Sequence, residues 1–325
     1  MKACVDLGGT KVAVSLASDG GAAQPAPLRA RRSEPTAKTG APDAVALQIL
    51  RMLAAACEEA GVSERALEAV GVSSCGPFVL KAGLIELAAP NICGALAGPA
   101  RGLPNQWSSA LLEAPLRERF AGLATRLEIA NDGIGALQAE RRWGALQGVD
   151  NCAYVTWSTG IGWGLCVDGH VLRGKNGNAG HAGHMFVSDW VGSGDSSDAL
   201  CGCGNVGDLE GLVAGNAIAR RFAPAGYADA AALLSAARAG DERAVAIVDE
   251  LCRVMGRALY NVVITLDLQR ISLGGSVFWH HSDYLLARLQ SQIGGRLPAL
   301  TDGFELLPAG LGERVGDLGA LALVS

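Results

Sequence analysis

One local pattern occurs twice in this chain, and it constrains the fold more than any other feature. Near the N-terminus an apolar run, Ala3 to Val5, leads into Asp6-Leu7-Gly8-Gly9-Thr10-Lys11 and then an alternating run, Val12 to Leu16. Later, Cys152 to Thr156 leads into Ser158-Thr159-Gly160-Ile161-Gly162-Trp163-Gly164 and a second strand-like run, Leu165 to Val167, closed by Asp168-Gly169. Both copies read as strand, glycine-rich turn, strand. The repetition predicts two similar halves facing one cleft.

The rest of the patterning is consistent with α/β architecture. Further strands are expected at 28–32, 70–73, 126–130, 270–273 and 304–307, with a hairpin over 78–87. Helical spacing covers 42–60, 108–120, 133–142, 208–222, 228–238 and 242–265, with another helix after Ser276 and a last one from about 315. Two stretches lack periodicity: 88–106, rich in Pro, Gly and Asn, and 174–207, dense in Gly, Asn, His and Ser. Aperiodic segments of that length are expected to be loops that carry function.

With 325 residues, half of them hydrophobic, the chain is long enough for two domains. Its net charge of -5 and the lack of a Lys/Arg-rich run argue against nucleic acid as a partner. No signal-peptide pattern is present, and no apolar run reaches the ~18 residues of a membrane span, so a cytoplasmic protein off the membrane is expected. Of nine cysteines, Cys4, Cys57, Cys152 and Cys166 lie in apolar patterns and are expected to be buried thiols.

Three constellations carry chemistry, each with a plainer alternative. The 6–11 turn suits a phosphate, its amides, Thr10 and Lys11 meeting the anion and Asp6 a metal ion carried with it, yet Gly-Gly turns are also ordinary hairpin turns. Thr159 and Gly160 offer a second such turn. Asn131-Asp132 stands between a strand and a helix, where Asp132 serves either as an N-cap or as a general base taking a proton from an attacking hydroxyl. His181, His184, Cys201, Cys203 and Asp208 form the third group. His184, Cys201 and Cys203, with Asp208 as fourth, read as a zinc site, against a loop held by hydrogen bonds alone.

In this order, DLGGTK at 6–11, GP at 76–77, APN at 89–91, ND at 131–132, STGIGWG at 158–164, NGNAGHAGHM at 176–185, CGCGNVGDLE at 201–210 and SLGGSV at 272–277 resemble the ROK family of sugar kinases, of the actin, hexokinase and Hsp70 superfamily. The resemblance spans nearly the whole chain. It implies a two-lobed actin-like ATPase (ribonuclease H-like) fold with a central cleft, residues 1–131 and the helix from about 315 forming one lobe and 132–314 the other. It implies ATP and Mg²⁺, with Asp6, Gly8, Gly9, Thr10 and Lys11 and then Thr159 and Gly160 at the phosphates, and Gly274 and Gly275 at the adenosine. Asp132 matches the catalytic base. Gly76, Asn91, Asn131, His181, His184 and Glu210 match the sugar site, His184 also facing a structural Zn²⁺. A homodimer is expected, with the 242–265 helix as a candidate contact.

Two departures from the family pattern stand out. His181 occupies the place of a sugar-binding Glu, and an imidazole has at most one acceptor nitrogen, so the pocket cannot hold the same polyol in the same way. Asp208 occupies the place of the third zinc cysteine, after a Ser/Gly/Asp-rich insertion at 188–199 that lengthens the spacing from His184. The expected activity is ATP- and Mg²⁺-dependent phosphorylation of a primary hydroxyl of a hexose-like sugar, glucose or a close relative first. The alternatives are a kinase for an amino sugar or a carbocyclic cyclitol, and a sugar-binding regulator without catalysis.

Overall fold

A computed structural model describes residues 1–18, 24–98, 100–187 and 199–325. The insertion expected at 188–199 lies, Ala199 apart, outside the described residues. The chain forms two compact units, Met1–Trp143 with Arg173–Ala179 and Arg314–Ser325, and Gly144–Leu172 with Gly180–Glu313.

The first unit is built on a five-stranded sheet. Strands β1 (Lys2–Leu7), β2 (Lys11–Ala17) and β3 (Leu28–Pro35) form an antiparallel meander, and β4 (Ala69–Ser74) and β8 (Arg126–Asn131) extend it parallel to β1, in the order β3-β2-β1-β4-β8. Helix α1 (Ala44–Glu59) buries Val45, Ile49, Met52, Leu53 and Ala56, the helical spacing visible in the sequence, and ends before Gly61 at φ +66°. A smaller sheet joins β5 (Phe78–Lys81), β6 (Leu84–Leu87) and β7 (Ala110–Leu111).

The helix expected over 108–120 starts later, as α2 (Glu113–Arg119). Long-range bonds claim its first residues: Leu111 pairs with Glu86, Ser109 Oγ donates to Glu86 at 2.5 Å, and Glu113 accepts from the Ile85 amide at 2.8 Å.

Helix α3 (Asp132–Trp143) and the C-terminal helix α11 (Val315–Ala322) pack on each other, and α11 packs on β1 and β4. Glycine makes this possible. A Cβ on Gly71 would lie 2.1 Å from the Ala320 carbonyl oxygen, and one on Gly319 3.0 Å from the Gly135 carbonyl carbon. The helix following Asn131 therefore stays with the first unit, as does the C-terminal helix.

The second unit repeats the sheet strand for strand. Antiparallel β9 (Cys152–Trp157), β10 (Ile161–Val167) and β11 (His170–Val171) are continued by parallel β12 (Arg270–Gly274) and β13 (Glu305–Pro308), in the order β11-β10-β9-β12-β13. The turn expected over 158–164 is shorter, because Gly162 and Gly164 pair with Thr156 and Tyr154 inside the strand. The helix expected over 208–222 divides into α4 (Leu209–Val213) and α5 (Gly215–Phe222). Ala214 is extended there, and the Gly215 amide donates to the Ser158 carbonyl at 2.7 Å.

Helices α6 (Ala230–Arg238), α7 (Glu242–Leu266), α8 (Ser276–Trp279), α9 (Ser282–Ile293) and α10 (Pro298–Thr301) complete the unit. Asp229 and Asp241 cap α6 and α7. Helix α7 packs against α4, α6, α9 and α10, so its apolar stripe is consumed within the unit. Among the described residues, no helix is long and apolar enough to cross a membrane.

Gly71→Ala is expected to destabilise the protein by about 3 kcal/mol, because the added methyl has only the α11 backbone to displace. Urea denaturation of the two proteins measures the difference.

Candidate active site

In the first unit the 6–11 segment is a tight hairpin turn. The Gly8 amide donates to the Lys11 carbonyl at 2.9 Å, and Thr36 braces the turn by donating from Oγ1 to the Gly8 carbonyl at 2.7 Å and from its amide to the Thr10 carbonyl at 3.0 Å. Asn91 Nδ2 lies 2.4 Å from where a Cβ on Gly9 would stand, so the 88–106 loop reaches this turn and only glycine leaves room for it.

Asp6, at the end of β1, is partly buried, and Gly316 of α11 comes so close that a Cβ there would be 2.9 Å from its Oδ2. Burial, then the like charges of Asp317 and Asp132, push the Asp6 carboxyl up to about 6, against the opposing pull of Lys11 and Arg31. Arg31 grips Asp317 from Nε at 2.7 Å and from Nη2 at 3.2 Å. That bidentate pair was not singled out in the sequence, since strand β3 and the C-terminal helix give no local hint of each other.

Asn131 and Asp132 sit where β8 becomes α3. The Gly133 amide donates to Asn131 Oδ1 at 3.0 Å and to Asp132 Oδ1 at 2.9 Å, so Asn131 takes a share of the capping expected of Asp132. Asn131 Nδ2 also donates to the Ser74 carbonyl at 3.4 Å, next to the Cys75-Gly76-Pro77 turn. Asn178, within the motif at 176–185 but given no role from sequence, accepts from the Phe78 amide and donates to the Phe78 carbonyl, both at 2.8 Å. That pairing resembles a rung of sheet made by a side chain, and it leaves no periodic trace.

In the second unit, Thr159 is exposed at the tip of the turn and Gly160 follows it. A cavity of about 350 Å³ begins at Thr159 and is lined by Gly215, Asp229, Ser276, Val277 and His281 among others. Gly274 and Gly275 immediately precede its lining residues Ser276 and Val277 in the chain. Gly275 has φ +91°, and a Cβ there would meet the Trp157 backbone at 2.4 Å, so the geometry admits glycine alone.

His184, Cys201, Cys203 and Asp208 converge: one donor atom from each lies within 4.8 Å of all the others. His184 comes from a 3₁₀ turn, Ala182–His184, and its Nδ1 is 3.1 Å from Asp208 Oδ2 and 3.5 Å from Cys201 Sγ. The cysteines lie on a tight loop in which the Cys203 amide points at Cys201 Sγ at 3.5 Å and the Asn205 amide at Cys203 Sγ at 3.4 Å. Such amides favour charge on sulfur, yet burial outweighs them and raises both thiols above their ordinary value. Asp208 is fully buried and also caps α4 through the Gly211 amide at 2.8 Å. One nitrogen, two sulfurs and one oxygen make up a donor set that suits tetrahedral zinc. His181 stands beside this group, its ring centroid 6.2 Å from that of His184. Glu210 accepts from the Ile161 amide at 2.9 Å.

The family model described as ROK family matches residues 2–325. An N-acetylmannosamine kinase from Citrobacter koseri is 30% identical over 275 residues, covering 84% of this chain and 82% of the relative. A glucokinase from Aeropyrum pernix is 28% identical over 292 residues, covering 84% of each. Among solved structures, a ROK family glucokinase from Streptomyces griseus in complex with glucose and AMPPNP superposes with a TM-score of 0.67 at 26% identity, covering 98% of this chain and 97% of that one.

The raised Asp6 carboxyl sets a pH dependence whose sign follows from linkage. A group that ionises near 4 when unfolded and near 6 when folded costs stability as pH rises through that window, fully so above about 6. Asp6→Asn is therefore expected to match the native protein in stability below about pH 4 and to exceed it by about 2–3 kcal/mol at pH 8, without ligands. Urea denaturation across pH measures this, and a difference independent of pH contradicts it.

Proposed function

This chain belongs to the ROK family, and we propose that it is a sugar kinase that transfers the γ-phosphoryl of ATP to a primary hydroxyl of a hexose-like acceptor. The observation that carries the reading is strand register: Leu7 and Asn131 flank Ser74 at one end of the sheet, so Asp132 follows at the end where Asp6 and the Gly8–Lys11 turn stand, and its charge adds to the rise of the Asp6 carboxyl. Phosphoryl transfer to an alcohol needs a carboxylate for the proton and another facing the metal-bound phosphates.

In this mechanism Asp132 accepts the proton of the acceptor hydroxyl as its oxygen attacks the γ-phosphorus, and Asn131, fixed by its bonds at the start of α3, orients a neighbouring hydroxyl. The turn of Gly8, Gly9, Thr10 and Lys11 and the turn of Thr159 and Gly160 are each read as a loop for donor phosphates. Asp6 is the carboxylate that would meet a magnesium ion carried with the nucleotide, which would supply charge neutralisation at the transferred group. The cavity by Thr159, Gly274 and Gly275 accommodates the nucleoside, which favours a nucleotide donor over polyphosphate. Gly76, Asn91, His181, His184 and Glu210 are the residues assigned to acceptor recognition. His184, Cys201, Cys203 and Asp208 would hold a structural zinc ion, which would fix the loop bearing His181 and His184.

Glucose or a close relative is the leading acceptor. A second reading, an amino sugar or cyclitol, is favoured by His181, which can offer one acceptor nitrogen or a donor where a carboxylate would offer acceptors only.

Asp132→Asn should lower kcat about a thousandfold while Mg·ATP binding persists. Near-native turnover in a coupled ADP assay removes Asp132 as the base. The same assay over glucose, mannose, N-acetylmannosamine and a cyclitol separates the acceptors: the highest kcat/KM on glucose discards the specialised reading.

A further inference from the structure

The Ser158–Gly160 turn is held from two sides by the elements that carry the His/Cys/Asp cluster. On one side, Glu210 in the first turn of α4 places Oε2 2.9 Å from the Ile161 amide and 2.8 Å from where a Cβ on Gly160 would be. On the other, Gly183 of the 3₁₀ turn ending at His184 lies so close that its Cβ would be 2.4 Å from the Ile161 carbonyl oxygen. The residue that ends the turn is therefore hydrogen-bonded from one of the cluster's supports and closely packed by the other. Asp208, a cluster member, caps the helix that carries Glu210 through the Gly211 amide at 2.8 Å, and Cys201 Sγ lies 3.5 Å from Glu210 Oε1.

A carboxylate bonded to a backbone amide is among the stronger hydrogen bonds available, and it fixes that amide's direction. With Gly215 N on the Ser158 carbonyl at 2.7 Å, it leaves the turn little freedom. A carboxylate has about four lone-pair directions, so these bonds add a duty to the acceptor contact rather than replace it.

We propose that Glu210 is a positioning residue for the donor phosphates: it ties the Ser158–Gly160 turn to the His184, Cys201, Cys203 and Asp208 cluster, so that an ordered cluster keeps the turn in its phosphate-binding form. This rests on reading that turn as a phosphate loop. A residue devoted to the acceptor alone would leave donor affinity unchanged when shortened.

The test is Mg·ADP binding by calorimetry without any sugar, together with amide hydrogen exchange over residues 158–162, on zinc-loaded protein. Glu210→Asp, one methylene too short to reach the Ile161 amide, is expected to weaken Mg·ADP at least about tenfold and to speed exchange in the turn. Glu210→Gln, whose amide oxygen still accepts that bond, is expected to stay within about threefold of the native protein. Chelating zinc from the native protein should shift both readouts in the direction of Glu210→Asp. Native affinity and exchange in Glu210→Asp overturn the positioning role, whatever happens to the sugar KM. Unchanged readouts on chelation overturn the tie to the cluster. Native protein that binds no Mg·ADP at all instead removes the kinase reading, and the inference with it.

Discussion

Close contact of backbones through glycine fixes the spacing on which both units depend. In the first unit, Gly71 and Gly319 let α11 settle onto β4 and α3, and Gly316 brings the start of that helix against Asp6. In the second, Gly183 presses the 3₁₀ turn onto Ile161, and Gly275 passes hard against Trp157. Side chains at these positions would hold the layers apart by ångströms, and the chemical groups carried at the layer edges would separate with them. A small residue there is a structural requirement before it is a ligand-binding one. For Gly275 the steric argument suffices without any nucleotide.

The doubled hairpin made much of the fold legible, because its pattern is local: strand alternation and glycine turns lie within a few residues of each other. Each sheet contains one such hairpin, and the structure adds that the two sheets share one strand order. What sequence patterning missed has long-range causes. The helix start at Glu113 depends on Glu86 and Ile85, and the break at Ala214 depends on the Ser158 carbonyl. Helical spacing reports which faces are apolar, and it is silent about a distant carbonyl waiting for an amide. In the site, Cys-x-Cys and the two histidines announced their cluster, whereas Asn178 and the Arg31–Asp317 pair could not, since their partners are remote in sequence.

Electrostatics at Asp6 explain why such a site is built at a cost to the resting protein. Burial first, and then the charges of Asp317 and Asp132, raise the Asp6 carboxyl by more than Lys11 and Arg31 lower it. A fold selected for stability alone would place an amide at residue 6. In the proposed kinase, an acid there would leave the ligand-free protein receptive to a cation that arrives with the substrate, because binding would offset that cost.

Strand β3 is the outer edge of the first sheet, and its sequence, LRARRSEP, points Arg29 and Arg31 outward and ends in proline. Its pairing with β2 slips register between Val14 and Leu16. An edge strand offers a row of backbone groups on which another chain could add itself. Guanidinium charges repel a second copy bearing the same row, the irregular register spoils the flat template, and proline supplies no amide at the end. The arginine that steadies Asp317 thus belongs to a strand that also guards the protein against aggregation, and neutralising substitutions along β3 would be felt in solubility as well as in the site.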